Sequence, residues 1–202
     1  MDHIAAWISV VSVIVLFLAA IVIRLRRRRR YDLQKITLHD IDRMTGLEFE
    51  HYLYVFFSVF WEGETFLTKK SGDYGADLLL VDEHGERTVV QAKRLTDHLS
   101  VSAVQEVYTA KAYYHASRAL IITSTDAISE PCRKLAAATQ VRIVARSELA
   151  EMIRLFKRAK FDEIQQLLDE PYEHVDYSPL TSVETIKRER GIIRAGEFYY
   201  KV

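Results

Sequence analysis

The sequence predicts a mixed α/β domain, in which helices flank a central sheet, preceded by one N-terminal transmembrane helix. The first observation behind this prediction is an uncharged apolar run over residues 4–23. The second is the order α-β-β-β-α-β-α-β-α after residue 44, read from the periodicity of the apolar residues. Such an order indicates a mixed sheet with helices on its faces. The third is a glycine-containing connection at residues 82–86, which is typical of a β-hairpin.

The apolar run has the length of a membrane span. Its 20 residues carry no charge, and a helix rising ~1.5 Å per residue crosses a ~30 Å hydrocarbon core over that length. Arg24 and the five arginines at residues 26–30 follow and favour the cytosolic side. The alternatives are a buried core helix or a signal peptide, which carries its positive charge before its apolar run. We therefore expect a single-pass cell-membrane protein with its N-terminus outside, lipid contact through residues 4–30 and a cytosolic domain.

Composition limits the partners of the domain. The net charge of the chain is zero, but from residue 31 onward 22 basic residues stand against 27 acidic ones. A globally basic nucleic-acid binder is therefore excluded, and any contact with phosphate must come from a local patch. Because Cys132 is the only cysteine, it cannot form an internal disulfide, which is compatible with a reducing compartment.

Local patterns give the bounds of the predicted elements. Thr45 and Glu48 fit a capping box, which begins a helix that ends near residue 61. Ser129 is the expected N-cap of a later helix, with Pro131 in its first turn. Strands are expected at 65–70, 76–81, 87–93, 119–123 and 141–144, further helices at 38–43, 102–114, 147–156 and 161–169, and a short capped helix at 181–184 before an edge strand at 197–202.

Three polar side chains are predicted to converge at one end of the sheet. Gln91 and Lys93 are two residues apart on a strand and therefore point to the same face. The hairpin places Asp77, from the segment SGDYGAD, beside them. Carboxylate and amide oxygens bind hard cations such as Mg²⁺, and a lysine stabilises negative charge on a phosphate. The set suits metal-assisted hydrolysis of a phosphodiester, although each residue alone is equally typical of a turn, a surface amide or a solvated lysine.

Four segments carry a family resemblance. They are GLEFE at residues 46–50, SGDYGAD at 71–77, QAKR at 91–94 and SVSAVQEVYTAKAYYHASRALIITS at 100–124. In this order they resemble the catalytic domain of Mrr-like restriction endonucleases, a family of the PD-(D/E)xK nuclease superfamily, in its Asp…GlnxLys variant. The resemblance covers residues 45–150. It implies a restriction-endonuclease-like fold and an endodeoxyribonuclease that depends on Mg²⁺ and acts on DNA.

The resemblance also implies roles for individual residues. Asp77, Gln91 and Glu50 match the metal-binding positions of the family. Lys93 matches the catalytic lysine, and these four residues form the implied catalytic set. Glu48 is the alternative acid of the same helix as Glu50, but it already has a structural task in the capping box.

Contacts with DNA are expected from three further residues. Gln105 matches a segment that lies near the substrate in the family, and Arg94 and Lys111 are candidates for phosphate contacts because of their charge. No small-molecule cofactor is expected, and a homodimer is left open.

The chain is expected to divide into four regions. These are a membrane anchor with its basic flank at 1–30, a linker at 31–44, the nuclease domain at 45–158 and an extension at 159–202 that packs against the domain. In restriction enzymes of the family a separate DNA-reading domain commonly comes first, and here the apolar run takes that place. Two functions stay open: a membrane-anchored endonuclease of a restriction-like system, or a catalytically inert nuclease-fold module that binds DNA or a partner at the membrane.

Overall fold

The helices and strands from Gly46 to Lys157 follow the predicted order α-β-β-β-α-β-α-β-α. The computed structural model describes residues 7, 11–21, 32–69, 74–171, 175, 178, 188–189, 192–195 and 197–201. The helices with assigned bounds are α1 (Leu38–Asp42), α2 (Gly46–Phe60), α3 (Val101–Tyr113), α4 (Glu130–Thr139), α5 (Arg146–Lys157) and α6 (Phe161–Asp169). The strands are β1 (Gly63–Leu67), β2 (Leu78–Asp82), β3 (Arg87–Lys93), β4 (Arg118–Thr123), β5 (Arg142–Val144), β6 (Arg188–Glu189), β7 (Ile192–Ala195) and β8 (Phe198–Lys201).

The central sheet has five strands in the order β1-β2-β3-β4-β5. The pairs β1–β2 and β2–β3 are antiparallel, whereas β3–β4 and β4–β5 are parallel. Parallel neighbours need a crossover connection, and α3 and α4 provide the two crossovers. The predicted mixed α/β fold with a central sheet between helices is therefore confirmed.

The sheet buries a separate apolar core on each face. The first core contains side chains of α1, α2, α5 and α6, and the second contains side chains of α3 and α4. Along β3, Val90 and Ala92 belong to the first core and Val89 to the second. Because side chains alternate along a strand, Gln91 and Lys93 point to the second face, which α3 covers.

The predicted capping box of α2 is confirmed. The Thr45 backbone N–H donates to Glu48 Oε2 at 2.8 Å, and the Glu48 N–H donates to Thr45 Oγ1 at 3.2 Å. These bonds satisfy two of the backbone donors that every helix N-terminus leaves unpaired. The helix then buries Phe49 and Leu53 completely in the first core, which leaves Glu50 half-buried beside that apolar face.

The compact domain is larger than the predicted range of 45–158. Ile36, Ile41 and Met44, from the segment expected to be a linker, are buried in the first core. Ile164 and Leu168 of α6 complete the same core from the C-terminal side. Apolar side chains on both sides of the predicted range therefore contribute to the same core.

Several element boundaries differ from the predicted ones by one to three residues. β1 and β2 span 63–67 and 78–82 instead of 65–70 and 76–81, because the ladder pairs Gly63 with Asp82. α5 begins one residue before Ser147, and Glu148 accepts a hydrogen bond from the backbone N–H of the preceding Ala145 at 3.1 Å. These shifts leave the element order unchanged.

No helix among the described residues is both long and apolar enough to cross a membrane. Residues 7 and 11–21 are helical. The other residues of the predicted membrane segment at 4–30 lie outside the described part of the chain. Large apolar side chains are exposed along the described residues of this segment, among them Trp7, Val13, Leu16 and Phe17.

The described C-terminal residues include a second sheet. Its three antiparallel strands have the order β6-β7-β8, so β8 is an edge strand as predicted. All four side chains of β8 are exposed, and the expectation that this end of the chain packs against the domain was therefore wrong for β8. The predicted helix at 181–184 lies outside the described residues.

Candidate active site

Asp77 and Gln91 are joined directly, as the sequence predicted. Asp77 lies one residue before β2, and its backbone N–H donates to the Val90 carbonyl at 2.8 Å. One carboxylate oxygen, Oδ2, accepts hydrogen bonds from Gln91 Nε2 and from the Ala92 backbone N–H, both at 2.7 Å. The hairpin between β2 and β3 thus fixes the direction of this carboxylate against β3.

The amide oxygen of Gln91 is buried and has no protein partner in the described part of the chain. The residue is 7% exposed, and its Nε2 already donates to Asp77. Oε1 has no hydrogen-bond partner there. A buried polar atom without a partner costs about 1–3 kcal/mol, and this oxygen can therefore gain a favourable contact from a cation or a water molecule.

Lys93 lies two residues further along the same face of β3. Its Nζ is 2.6 Å from Glu106 Oε2, and the two side chains are 27% and 42% exposed. Glu106 belongs to the middle of α3. The neighbouring Gln105 was predicted from the sequence, whereas Glu106 was not. The signal available for Glu106 was its spacing of three and four residues from Ala103 and Ala110, which places it on the buried face of the helix.

A glycine brings the loop before Asp77 against α3. Gly75 has a φ of +90°, and a Cβ built there would lie 2.4 Å from the Glu106 carbonyl oxygen. Both the backbone conformation and the space therefore require glycine at this position. The preceding Tyr74 stacks on Tyr113 of α3 with ring centroids 3.7 Å apart. Asp77 and Glu106 are thus held near each other by backbone contact as well as by side chains.

Glu50 lies apart from these bonds. It is half-buried on α2, which covers the other face of the sheet. Within the described part of the chain it forms no hydrogen bond or ion pair with Asp77, Gln91 or Lys93. Its role in binding metal stays a prediction from the family resemblance.

The three predicted DNA-contact residues are dispersed. Gln105 is exposed next to Glu106. Arg94 follows Lys93 and donates from Nη2 to the backbone carbonyl of Asp42. Lys111 and Arg118 line the same cavity. Arg118 is the first residue of β4, whereas Lys93 pairs with Thr123 at the opposite end of that strand. The structure therefore places Gln105 beside Glu106, directs the Arg94 side chain to α1 on the other face of the sheet, and leaves Lys111 near the first residue of β4.

Arg94 belongs to a polar cluster that joins α1 to α5. Arg146 donates two hydrogen bonds to the Asp42 carboxylate, at 2.6 and 2.8 Å. The hydrogen bonds from Arg146 lower the pKa of Asp42 below its usual value. Arg146 also donates to the Ser124 carbonyl at 3.0 Å. This cluster was not predicted from the sequence, because its members are far apart in the chain.

The donor set fits a divalent cation held by few protein ligands. Among the described residues, no group of three His, Cys, Asp or Glu side chains is arranged to hold a metal ion. Asp77 and the unpartnered Gln91 Oε1 remain as adjacent oxygen donors. Mg²⁺ is commonly bound by one or two protein oxygens with water completing its shell, so these two residues are the ones that would hold it.

At one end of the mixed sheet, the structure thus places a carboxylate, an amide and a lysine on or beside the neighbouring strands β2 and β3. Residues 41–153, more than half of the chain, match the restriction endonuclease family Mrr_cat. The chain belongs to that family. The match covers α2 through most of α5 and includes Asp77, Gln91, Lys93 and Glu106.

Two solved structures resemble the chain. A repair endonuclease from Pyrococcus abyssi is 20% identical with a TM-score of 0.37, and the alignment covers 57% of this chain and 47% of that protein. The DNA modification-dependent restriction endonuclease AspBHI is 13% identical with a TM-score of 0.46, over 68% of this chain and 41% of that protein. The chain thus spans less than half the length of either protein. No curated protein matched the sequence of this chain.

Proposed function

We propose that the domain is an Mg²⁺-dependent endonuclease that hydrolyses phosphodiester bonds in DNA. The observation that carries the proposal is the buried, unpartnered Gln91 Oε1 beside the Asp77 carboxylate, with Lys93 next along the same face of β3. Membership of the restriction endonuclease family supports the same reaction and the use of a divalent metal.

Each residue of the site has a task that follows from its chemistry. When bound, Mg²⁺ would polarise a phosphate oxygen and lower the pKa of a bound water. Asp77 and Gln91 would offer a carboxylate and an amide oxygen to the ion, and the hydrogen bonds that Asp77 Oδ2 accepts from β3 restrict the orientation of its carboxylate. The Lys93 ammonium would bind a phosphate oxygen and stabilise the negative charge that develops on it.

A second candidate function is an inert nuclease-fold module that binds DNA or a partner without cutting. The excess of acidic residues from residue 31 onward favours a partner other than DNA within this candidate, because acidic side chains repel a phosphate backbone.

Cleavage of supercoiled plasmid by the full chain in detergent tests the proposal. We expect nicked and linear products with Mg²⁺ and none when EDTA replaces it. Binding of DNA without products, in Mg²⁺ or in Mn²⁺, would contradict the endonuclease and favour the inert module.

We also propose that residues 4–30 anchor the domain to the cytosolic face of the cell membrane. The support is the uncharged run at 4–23, the arginines that follow it, and the exposure of apolar side chains such as Phe17 in residues 11–21. The full chain should remain in the membrane fraction after an alkaline carbonate wash, whereas a chain without residues 1–30 should not. Release of the intact full chain by the wash would contradict the anchor.

A further inference from the structure

We propose that Glu106 is the positioning residue for Lys93, which it holds beside Asp77 and Gln91 before DNA arrives. The inference rests on the proposed nuclease function and assigns a task to an acid that neither the motif nor the metal site uses. Glu106 acts through Lys93 and contacts no reacting atom itself.

The contact between the two residues is short and partly shielded from solvent. Lys93 Nζ and Glu106 Oε2 are 2.6 Å apart, and the Lys93 side chain is 27% exposed. A hydrogen bond between two charged groups at this distance is stronger than one between neutral groups. A free lysine side chain has many rotamers, because four carbons separate its ammonium from the backbone. The ion pair therefore selects, from these rotamers, a conformation that directs the ammonium toward α3.

The backbone of Glu106 is held in place by its surroundings. Its helix, α3, is anchored in the second core by Ala103, Val107 and Ala110, whose exposure is 2% or less. The backbone of Gly75 packs against the Glu106 carbonyl so closely that no side chain fits between them. The same turn of helix thus receives the loop that leads to Asp77 and the ammonium of Lys93, which couples the two halves of the site.

The charge of Glu106 has opposite effects on two steps. Its carboxylate repels the phosphates of DNA, so it weakens binding of the substrate. It also restricts Lys93 to one orientation, which favours the chemical step, since misplacement of a reacting group by about 1 Å can cost about 100-fold in rate. Removal of the charge should therefore strengthen DNA binding and slow cleavage. If the ion pair only stabilised the fold, its removal would not raise the affinity for DNA while lowering the cleavage rate.

The test uses the full chain in detergent, a DNA duplex labelled with a fluorophore, and the variants Glu106→Gln and Glu106→Asp. The dissociation constant is measured with Ca²⁺ in place of Mg²⁺, and the single-turnover cleavage rate with Mg²⁺ at saturating DNA. For Glu106→Gln we expect a rate about 10- to 100-fold lower with a dissociation constant equal to or below that of the wild type. Glu106→Asp should recover a large part of the rate, since it restores the carboxylate.

A matched control is Glu163→Gln on α6, which removes the carboxylate from a Lys–Glu pair with a 2.5 Å contact to Lys160, away from the site. It should leave both quantities unchanged. A wild-type rate in Glu106→Gln, a loss of DNA binding in that variant, or a rate that Glu106→Asp does not recover would overturn the inference. If the wild type itself does not cleave DNA, the proposed function fails together with the inference. If the wild type cleaves and Glu106→Gln cleaves equally fast, only the inference fails.

Discussion

The two polar atoms of the Gln91 side chain have different surroundings. Its Nε2 donates to Asp77, and its buried Oε1 has no partner among the described residues. The amide is neutral, so a site built on it carries one negative charge less than a site built on two carboxylates. Affinity for a divalent cation should be correspondingly low, and the charge at this position should control it.

Replacement of Gln91 by glutamate should raise the affinity for Mg²⁺. The added charge attracts the ion, so the Mg²⁺ concentration at half-maximal cleavage should fall in Gln91→Glu. The maximal rate should not rise in proportion, because tighter binding of the ground state does not lower the barrier. The measurement is the cleavage rate as a function of Mg²⁺ concentration, and an unchanged midpoint would exclude Gln91 from the metal shell.

Glu50→Gln in the same titration should raise the midpoint if the acid of α2 reaches the ion, as the family resemblance implies.

Gly75 should tolerate no side chain because of its contact with Glu106. Gly85 is the matched control, since its φ is also positive, at +81°, but nothing lies within 4 Å of a Cβ built there. Both substitutions to alanine therefore strain the backbone, but only Gly75→Ala also brings a Cβ into contact with the backbone of Glu106. We expect Gly75→Ala to lower the free energy of unfolding by ~1–3 kcal/mol more than Gly85→Ala does. Equal losses in urea unfolding would show that the loop does not pack against α3.

The residues of the site were predictable from the sequence only where strand pairing determines them. Gln91 and Lys93 share a face because they are two apart on β3, and Asp77 reaches Gln91 through the hairpin. Glu106 approaches Lys93 from a helix, and this pairing depends on how α3 packs on the sheet. The spacing of residues within one helix does not determine the distance between Lys93 and Glu106. The motif therefore indicated the region around Gln105 but did not identify Glu106 as the residue that contacts Lys93.

Helices α1 and α5 are joined by the ion pair of Asp42 with Arg146. The hydrogen bonds from Arg146 lower the pKa of Asp42 below its usual value of 3.8. A carboxyl group whose pKa is lower in the folded state stabilises the fold above its unfolded pKa, and this stability is lost as the pH falls through the folded value. The pair thus contributes at neutral pH and vanishes in acid.

Asp42→Asn should therefore be less stable than the wild type at neutral pH, and the difference should shrink as the pH falls below 3.8. Because both side chains are partly exposed, we expect a loss of ~0.2–1 kcal/mol. Urea unfolding of both proteins over this pH range measures the difference. A difference that stays constant with pH would show that the carboxylate is not ionised against Arg146 in the folded protein.

Single elements were predicted well where a local signal marks their ends. The capping box of Thr45 and Glu48 gave the start of α2 correctly, and the hairpin connection at residues 82–86 gave the start of β3. β1 and β2 were displaced because an apolar run does not show which of its residues enter the ladder. That choice is made by the partner strand, since Gly63 lies opposite Asp82.

The extent of the domain can be tested with two fragments. Residues 45–158 lack the buried side chains of Ile36, Ile41, Ile164 and Leu168. Burial of one such side chain is worth ~1.5–3 kcal/mol, and whole domains are stable by only ~5–15 kcal/mol. We therefore expect the fragment 32–171 to unfold cooperatively on heating and the fragment 45–158 to lack a folded baseline. A cooperative transition of the shorter fragment at the same temperature would contradict the enlarged core.

The overall architecture followed from the order of the elements, because alternating helices and strands permit few arrangements. The domain boundaries did not, since Ile36 and Leu168 are separated by the whole domain and meet only in its folded core. The C-terminal strand β8 was predicted as an edge strand, but its exposure depends on tertiary packing that its own aromatic residues do not encode.

The most direct test of the whole molecule compares the single-turnover cleavage of plasmid DNA by the full chain and by two variants of the site. Asp77→Asn keeps the size of the side chain and removes its charge, and Lys93→Ala removes the ammonium. If Asp77 and Lys93 belong to the active site of an Mg²⁺-dependent endonuclease, each variant should retain its melting temperature within a few degrees and lose at least about 100-fold in rate. A folded Lys93→Ala variant that cuts DNA as fast as the wild type would contradict the assignment.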